Sequence, residues 1–290
     1  MGHLKIFIEL TRLNKPIGFL LLFWPCSWGL GLSLSNLESN DTSIFFYYLI
    51  LFFLGSILMR SAGCIFNDIV DKDYDKKVKR TKNRPIASGK ISINRSLIYV
   101  FVLCFLALLI LLQFNNRTIF LGLSSMVLAF SYPFMKRITY WPQLFLGITF
   151  NWGILMAWTA MGNDITLKIC LVYFSAIFWT LGYDTIYGAQ DMSDDEIIGV
   201  KSTSIKFKKN LKYFISGAYL ISILILFYTF YNSIGLNFFS LFLIFFVLIL
   251  SNQIFQFDKN NPNLSLTLFK NNNLAGAIMF FAFILQSTNL

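Results

Sequence analysis

Long apolar stretches, separated by short polar segments, run through almost the whole chain. A helix that crosses a membrane needs about 20 mostly apolar residues. By that rule the pattern predicts nine spans, at 16–34, 44–66, 96–113, 117–134, 142–161, 167–188, 212–231, 235–251 and 272–288. The last span has the least clear boundary, because three asparagines, Asn271, Asn272 and Asn273, stand at its start. The predicted fold class is therefore all-α, a polytopic membrane protein with nine transmembrane helices.

The composition agrees with this class. Of the 290 residues, 56% are hydrophobic and only 13% are charged, against roughly 25% charged residues in a soluble domain. The one histidine, His3, lies in the N-terminal tail, which excludes histidine-based acid–base chemistry and zinc binding. The cysteines are scattered through or beside apolar runs and have neither metal-site nor disulfide spacing; they are Cys26, Cys64, Cys104 and Cys170.

Basic residues collect at alternate ends of the spans. The segment 66–95 carries nine lysines and arginines, and more follow the fourth, sixth and eighth spans, so these loops share one side, here called the basic face. Because positively charged loops face the cytoplasm, we expect a cytoplasmic N-terminus and a periplasmic C-terminus. The charges flank spans, so no nucleic-acid partner is expected. Met1 to Lys15 resembles neither a signal peptide nor an Arg/Ser-rich transit segment, which predicts a bacterial inner membrane.

An acidic segment, Asn67–Asp75, follows the second span and opens the basic loop. Asn67, Asp71 and Asp75 are four residues apart, so on a helix they line one face. Asp68 lies one position around the helix. Like charges at this spacing repel, and a hard divalent cation would relieve the repulsion by taking oxygen ligands. An ordinary solvated helix end is the alternative, but the nearby lysines fall off this face. The predicted metal ligands, here the first acidic cluster, are Asn67, Asp68, Asp71 and Asp75.

The second acidic cluster, at the end of the sixth span, consists of Asp184, Asp191, Asp194, Asp195 and Glu196. Asp191 and Asp195 are four residues apart. Asp184 and Tyr187 precede Asp191 by seven and four residues, on the same helix face. The two acidic segments hold nine of the 14 acidic residues, in a chain of net charge +10. A loop of solvated charge is the alternative, but this segregation favours a second metal site containing Asp191 and Asp195.

The two halves of the chain look alike, since each has a span, an acidic helix end and a basic loop. This likeness predicts a single transmembrane domain, 1–290, built from two pseudo-equivalent helix bundles, roughly 1–140 and 141–290. The acidic ends would then meet around a central cavity open at the cytoplasmic side.

A cavity of this kind suits a diphosphate on an apolar tail. Two facing carboxylate sets, each with Mg²⁺, could clamp one diphosphate and stabilise it as a leaving group, and an isoprenoid tail would lie in the membrane. Arg60, seven residues before Asn67, shares the acidic face at greater depth, where an arginine is costly unless it lines a wet or paired site. Aromatic rings that could face a developing carbocation belong to Trp152, Trp158, Tyr183 and Tyr187.

Several motifs together make the sequence resemble the UbiA family of intramembrane aromatic prenyltransferases. They are Arg12–Gly18 with Trp24-Pro25, Arg60–Cys64 leading into the NDxxDxxxD motif at Asn67–Asp75, Arg80–Pro85 with Ser88-Gly89, Ser131–Arg137, Gly182–Tyr187, Gln190-Asp191 with Asp194-Asp195, and Ile198–Ser202. The resemblance covers nearly the whole chain. Asn14 and Lys72 depart from the family pattern, where Asp and Arg are expected, but neither is a proposed ligand.

The resemblance implies Mg²⁺-dependent transfer of a polyprenyl group from polyprenyl diphosphate to the ring of 4-hydroxybenzoate, ortho to the hydroxyl, as a step in ubiquinone biosynthesis. The lipid bilayer is the other expected partner, with no obligate protein partner evident. The ring proton would go to Asp191 or to released diphosphate. The implied catalytic residues are Asp71, Asp191 and Arg137, and the implied substrate-binding residues are Arg12, Lys15, Arg60, Lys136, Arg137, Asp184 and Tyr187.

Three alternatives stay open. Within the family, the acceptor could be homogentisate, dihydroxynaphthoate or haem. In another class, the chain could be a transporter or a divalent-ion channel lined by aspartates, although transporter sites usually lie near the membrane midplane on broken helices. A phosphatidyl-alcohol transferase also uses membrane aspartates with Mg²⁺, but its motif is absent.

Overall fold

The computed structural model describes residues 2–36 and 42–288, and over these residues the regular structure is entirely helical. The helices are α1 (His3–Thr11), α2 (Ile17–Ser33), α3 (Thr42–Val70), α4 (Lys72–Asp75), α5 (Ile93–Leu111), α6 (Asn116–Ile138), α7 (Pro142–Asn151), α8 (Gly153–Ala160), α9 (Leu167–Gly188), α10 (Met192–Ile198), α11 (Thr203–Lys206), α12 (Leu211–Thr229), α13 (Phe238–Gln256) and α14 (Pro262–Thr288). Short 3₁₀ turns occupy Leu34–Asn36 and Tyr231–Ser233.

Seven of the described helices are long and apolar enough to cross a membrane: α3, α5, α6, α9, α12, α13 and α14. The first predicted span forms the shorter apolar helix α2, of 17 residues. The fifth predicted span is divided into α7 and α8, which meet at Trp152. The all-helical, polytopic class is confirmed, whereas the number of nine crossings stays a prediction.

The last span begins at Pro262, well before the predicted start at 272, because two of its three asparagines, Asn272 and Asn273, bond to other helices. Asn272 is buried within α14. Its Oδ1 accepts a hydrogen bond of 2.9 Å from Trp179 Nε1, and its Nδ2 donates to Gln253 Oε1 at 3.2 Å. Asn273 Oδ1 accepts from Trp24 Nε1 at 2.9 Å. Polar residues that would mark a helix boundary in lipid therefore connect α14 to α2, α9 and α13.

Replacing Asn272 with leucine is expected to lower the free energy of unfolding by about 1–3 kcal/mol, because the buried Trp179 N–H loses its acceptor. Thermal unfolding of the purified protein in detergent measures the effect. Asn271→Leu is the matched control, because Asn271 is the adjacent residue and is exposed. Equal unfolding temperatures for the two variants would show that the network does not stabilise the fold.

The beginning and the end of the described chain pack together around α2. Trp28 of α2 is fully buried, stacks on Trp179 with ring centroids 5.0 Å apart, and donates to Gly276 O at 2.8 Å. Helix α2 also packs against α3 and α8, and α9 packs against α7, α12 and α14. Helices α3 and α5 are in close contact, whereas α5 touches α6 at few points. The resulting space between α3, α5, α6 and α8 holds the cavity described below.

Candidate active site

A cavity of about 570 Å³ extends from the acidic segments into the apolar interior. Residues of α2, α3, α5, α6, α7 and α8 line its apolar part. Its polar end is lined by Arg12, Asn67, Arg80, Arg84 and Tyr187. Asn67 belongs to the first acidic segment, and Tyr187 lies one turn before Asp191. The tertiary structure therefore brings the two segments to one cavity, as the sequence analysis expected.

The first acidic cluster keeps its helical register across the end of α3. Asp71 N donates to Asn67 O at 2.9 Å, and Asp75 N donates to Asp71 O at 2.8 Å, so the three side chains stay on one side of the chain. Asn67 Nδ2 donates to Asp71 Oδ2 at 3.0 Å. The Asp71 residue is only 1% exposed, and its Oδ1 is buried without a hydrogen bond.

The two basic residues at the end of α6 reach the first cluster. The Lys136 ammonium forms an ion pair with Asp71 Oδ2. Arg137 Nη2 lies 3.5 Å from Asp71 Oδ1 and donates to Val70 O at 2.6 Å, while the guanidinium sits over the Tyr74 ring at 5.1 Å. Both residues are therefore close enough to contact an anion that binds in the space beside Asp71.

Two arginines hold the rest of the first cluster. Arg12 Nη2 donates to Asp68 Oδ1 at 2.6 Å. Arg84 Nη1 lies 2.9 Å from Asp75 Oδ2 and 3.1 Å from Asp68 Oδ1. Burial raises the pKa of Asp75, although Arg84 acts in the opposite direction. Asp68 thus forms ion pairs with two arginines. Its role as a metal ligand stays a prediction.

The second cluster is bound by Arg80, a residue of the basic loop after the first cluster that sequence reasoning missed. Arg80 Nε donates to Asp191 Oδ1 at 2.7 Å, and its Nη2 bonds Asp191 Oδ2, which makes a two-pronged ion pair. Asp195 N donates to Asp191 O at 2.8 Å, which keeps these two residues in helical register. Burial raises the pKa of Asp195 to about 6, and the Asp191 carboxylate acts in the same direction. Glu196 instead pairs with Lys208 at 2.5 Å.

Lysine and arginine side chains neutralise the carboxylates that were predicted to hold a metal. Within residues 2–36 and 42–288, no group of three or more acidic, cysteine or histidine side chains is placed to hold a metal ion. The donor chemistry nevertheless fits a hard cation, because Asp71 Oδ1 is a buried oxygen without a hydrogen bond beside the Asn67 amide. The assignment of Asn67, Asp71, Asp75, Asp191 and Asp195 as ligands stays a prediction.

The remaining predicted residues fall into two groups. Arg60 lines the cavity with its guanidinium 5.5 Å from the Phe150 ring centroid, and its Nε is buried without a hydrogen bond. Trp152 also lines the cavity. By contrast, Lys15 is exposed in the turn before α2. Trp158 donates to Asp164 O, outside the cavity lining.

Two further residues complete this picture. Tyr183 is fully buried against Trp179 and Phe269, so its ring does not face the cavity lining. Tyr132, in the Ser131–Arg137 motif, lines the cavity and lies within electrostatic range of Asp71 and Asp184. Its position in a recognised motif was the signal that could have identified it.

An apolar cavity with two acidic segments and a row of cations at one end indicates a membrane-embedded enzyme. The chain belongs to the UbiA prenyltransferase family, whose sequence model matches residues 22–284. The resemblance seen in the motifs is therefore confirmed.

Individual relatives are similar over most of the chain. It is 44% identical over 295 residues to the mitochondrial 4-hydroxybenzoate polyprenyltransferase of Bos taurus, covering 97% of this chain and 75% of that protein. Identity to the Homo sapiens protein of the same name is 50% over 215 residues, covering 74% and 57%. For the Arabidopsis thaliana protein the identity is 48%, covering 73% and 51%. The matched stretch thus spans little more than half of the human and plant proteins.

Solved structures of UbiA homologues share the fold. The apo homologue of Aeropyrum pernix K1 has a TM-score of 0.75 at 19% identity, with 92% of this chain and 97% of that chain covered. The homologue of Archaeoglobus fulgidus bound to GPP and Mg²⁺ has a TM-score of 0.70 at 17% identity, with 96% and 99% covered. At these identities the likeness establishes the fold alone.

The relatives overturn the predicted location. The sequence analysis expected a bacterial inner membrane, with a cytoplasmic N-terminus and a periplasmic C-terminus. The similar proteins of cattle, human and plant are mitochondrial, so the bacterial assignment is wrong. The expectation depended on the composition of Met1 to Lys15, which is a weak signal because targeting segments lie outside the folded domain.

Proposed function

We propose that the protein transfers a polyprenyl group from polyprenyl diphosphate to the ring of 4-hydroxybenzoate, ortho to the hydroxyl, in ubiquinone biosynthesis. The observation that carries this proposal is the single cavity that joins both acidic segments to an apolar interior. The curated relatives named above carry the same activity in their names. The apolar part of the cavity suits the isoprenoid tail, and the polar end suits its diphosphate.

The residues at the polar end have two roles, metal binding and diphosphate binding. Asn67, Asp71 and Asp75 from one side, with Asp191 and Asp195 from the other, would hold Mg²⁺. When bound, Mg²⁺ neutralises the diphosphate and stabilises it as a leaving group. Lys136 and Arg137 form ion pairs with Asp71, and Arg80 forms one with Asp191. These three cations would therefore bind the diphosphate oxygens.

The chemistry is an electrophilic substitution. The bond between the allylic carbon and the diphosphate oxygen breaks, and the ring carbon ortho to the hydroxyl bonds to that allylic carbon. Fixed charges at the leaving group supply much of the rate enhancement, because they need no reorganisation during the reaction. Arg60 binds the benzoate carboxylate, since it is a cation that lines the cavity and forms no ion pair within the described residues.

The proposal includes the membrane arrangement. The chain crosses the membrane nine times if α2 and the α7–α8 pair are counted with the seven longer helices. The cavity then opens toward the basic face, and residues 1–140 and 141–290 form two pseudo-equivalent bundles of one domain.

The test is an assay of membranes that contain the protein, with radiolabelled 4-hydroxybenzoate and a series of prenyl diphosphates. A labelled lipid-soluble product is expected, and its yield will rank the chain lengths. Membranes without the protein are the control. Absence of product with every prenyl diphosphate, together with product from homogentisate or dihydroxynaphthoate, would contradict the proposed acceptor.

Removal of divalent cations is expected to lower transfer to background, because the carboxylates would repel an unneutralised diphosphate. The measurement is transfer in EDTA, followed by the addition of excess Mg²⁺, which should restore the rate. EDTA saturated beforehand with Mg²⁺ is the control. Full activity in EDTA would show that the aspartates do not act through a metal.

A further inference from the structure

One charged layer lies deeper in the membrane than the acidic clusters. Asp184 in α9 comes seven residues before Asp191, and Arg60 in α3 comes seven residues before Asn67. Seven residues are two helical turns, or about 10 Å along the axis. Arg60 therefore lies about two turns below Asn67 within α3, and Asp184 lies about one turn before the end of α9, which precedes the second cluster. A guanidinium and a carboxylate thus both lie below the polar end.

Neither charge of this layer has an ionic partner. Within the described residues, Asp184 takes part in no salt bridge or hydrogen bond, and Arg60 forms no ion pair. They lie more than the 4 Å of an ion pair apart, yet Arg60 is close enough to act electrostatically on Asp184. An unpaired carboxylate at membrane depth is costly and marks a functional site. Its partner is therefore expected to come with the substrate.

The Asp184 side chain lies beside the cavity, although Asp184 is not itself one of the lining residues. It is partly exposed, although its neighbours Tyr183 and Thr185 are buried. Tyr187, three residues later on the same helix face, lines the cavity. Tyr132 lines the cavity from α6 and lies within electrostatic range of Asp184. Asp184 is thus a partly exposed carboxylate next to residues that line the space where the acceptor would bind.

We propose that Asp184 is a catalytic residue that binds the phenolic hydroxyl of the acceptor and takes its proton. This inference rests on the proposed function. The carboxylate and the hydroxyl of 4-hydroxybenzoate stand at opposite ends of the ring, so their binding needs a cation and a hydrogen-bond acceptor that are too far apart to pair. Arg60 and Asp184 meet this requirement.

The proton movements balance. As the ortho carbon bonds to the allylic carbon and the carbon–oxygen bond to diphosphate breaks, the O–H proton passes to the Asp184 carboxylate. The oxygen electron pair forms a ring carbonyl, which makes the ring carbon a stronger nucleophile. The ring carbon then loses its hydrogen to the released diphosphate. Asp184 returns its proton to the oxygen, and the ring becomes aromatic again.

A binding experiment without metal or prenyl substrate tests the hydroxyl contact. Equilibrium dialysis compares 4-hydroxybenzoate with benzoate on the wild type and on Asp184→Leu. The wild type is expected to prefer 4-hydroxybenzoate by about ten- to a hundredfold, as a hydrogen bond to a charged group allows. Asp184→Leu should lose that preference and keep its benzoate affinity, whereas Arg60→Gln should weaken both ligands. An unchanged preference in Asp184→Leu would overturn the proposal.

A kinetic experiment tests the proton transfer. Asp184→Asn keeps the size of the side chain and a hydrogen-bond acceptor but cannot take a proton. Its kcat is expected to fall by about 10²- to 10⁴-fold, with a much smaller change in KM, and Asp184→Glu should recover part of the rate. Ionisation of prenyl diphosphate, followed without acceptor as scrambling of a bridging oxygen label, should stay unchanged in Asp184→Asn.

The outcomes separate the two proposals. If the wild type makes no prenylated 4-hydroxybenzoate, the proposed function is wrong. If the wild type makes it and Asp184→Asn keeps its kcat, only the role of Asp184 is wrong. Asp184→Asn also decides the question if Asp184→Leu does not fold. A fall in label scrambling that matches the fall in kcat would show that Asp184 acts on the diphosphate end and would overturn the proposal.

Discussion

Replacing Asp71 or Asp191 with asparagine is expected to lower prenyl transfer by at least about 10²- to 10³-fold, as loss of one preorganised charged group does in other active sites. Asp71 is 1% exposed at the cavity end and carries the oxygen without a hydrogen bond, and Asp191 is its counterpart in the second cluster. Asparagine keeps the shape but removes the charge that would hold Mg²⁺ against diphosphate. The measurement is kcat/KM for 4-hydroxybenzoate at saturating prenyl diphosphate.

Asp73→Asn is the matched control for these variants. Asp73 lies two residues after Asp71, in α4, but its side chain is 86% exposed and pairs with Lys76 at 3.2 Å. Its replacement should leave transfer within about twofold, because an exposed ion pair contributes little. Equal loss of activity in Asp73→Asn and Asp71→Asn would mean that the charge of the segment matters, and not a specific ligand set.

Replacing Gly29 with alanine is expected to lower the free energy of unfolding by about 1–3 kcal/mol or more, since overpacking a dense contact forces the backbone to move. A Cβ on Gly29 would lie 2.9 Å from Ala157 Cβ and still closer to the carbonyl oxygen of Ile154. Both neighbours belong to α8 and are fully buried, so α8 has no room to shift. Thermal unfolding in detergent, with activity measured in parallel, checks the expectation.

Gly217→Ala is the control for this substitution. Gly217 lies inside α12, where an added Cβ would meet no atom within 4 Å. Alanine is a better helix former than glycine by about 1 kcal/mol, so this variant should be as stable as the wild type or slightly more stable. If Gly29→Ala unfolds at the same temperature as Gly217→Ala, the approach of α2 to α8 is looser than the structure indicates.

The helices and the helical register of the first acidic segment were predictable from local pattern. Each apolar run is long enough to form a helix by itself, and the spacing of Asn67, Asp71 and Asp75 puts them on one face whatever surrounds them. The same reasoning found Lys136 and Arg137, through their motif, before any contact with Asp71 was known. These features depend on residues close together in the chain, which is the range over which sequence patterns are informative.

Two of the failures concern contacts between distant residues, and the third concerns targeting. The sequence analysis interpreted Asn272 as part of a helix boundary. Its hydrogen-bond partners, Trp179 and Gln253, lie on other helices and could not be identified from the local sequence. In the sequence, Arg80 is one of nine basic residues in its loop. The fold brings it within hydrogen-bond distance of Asp191, which is 111 residues away. The transit-segment argument concerned targeting and carried no information about the folded domain.

By itself, the sequence determined that this is a helical membrane protein with two acidic helix ends, because hydrophobic runs and helical spacing are local properties. Its resemblance to known motifs identified the prenyltransferase family. Only the tertiary structure decided which charges are paired and which are left open to the cavity. Asp68 and Asp184 are both aspartates near helix ends, yet one is bonded by two arginines and the other has no ionic partner among the described residues. That difference arises from packing between helices, and the proposed chemistry depends on it.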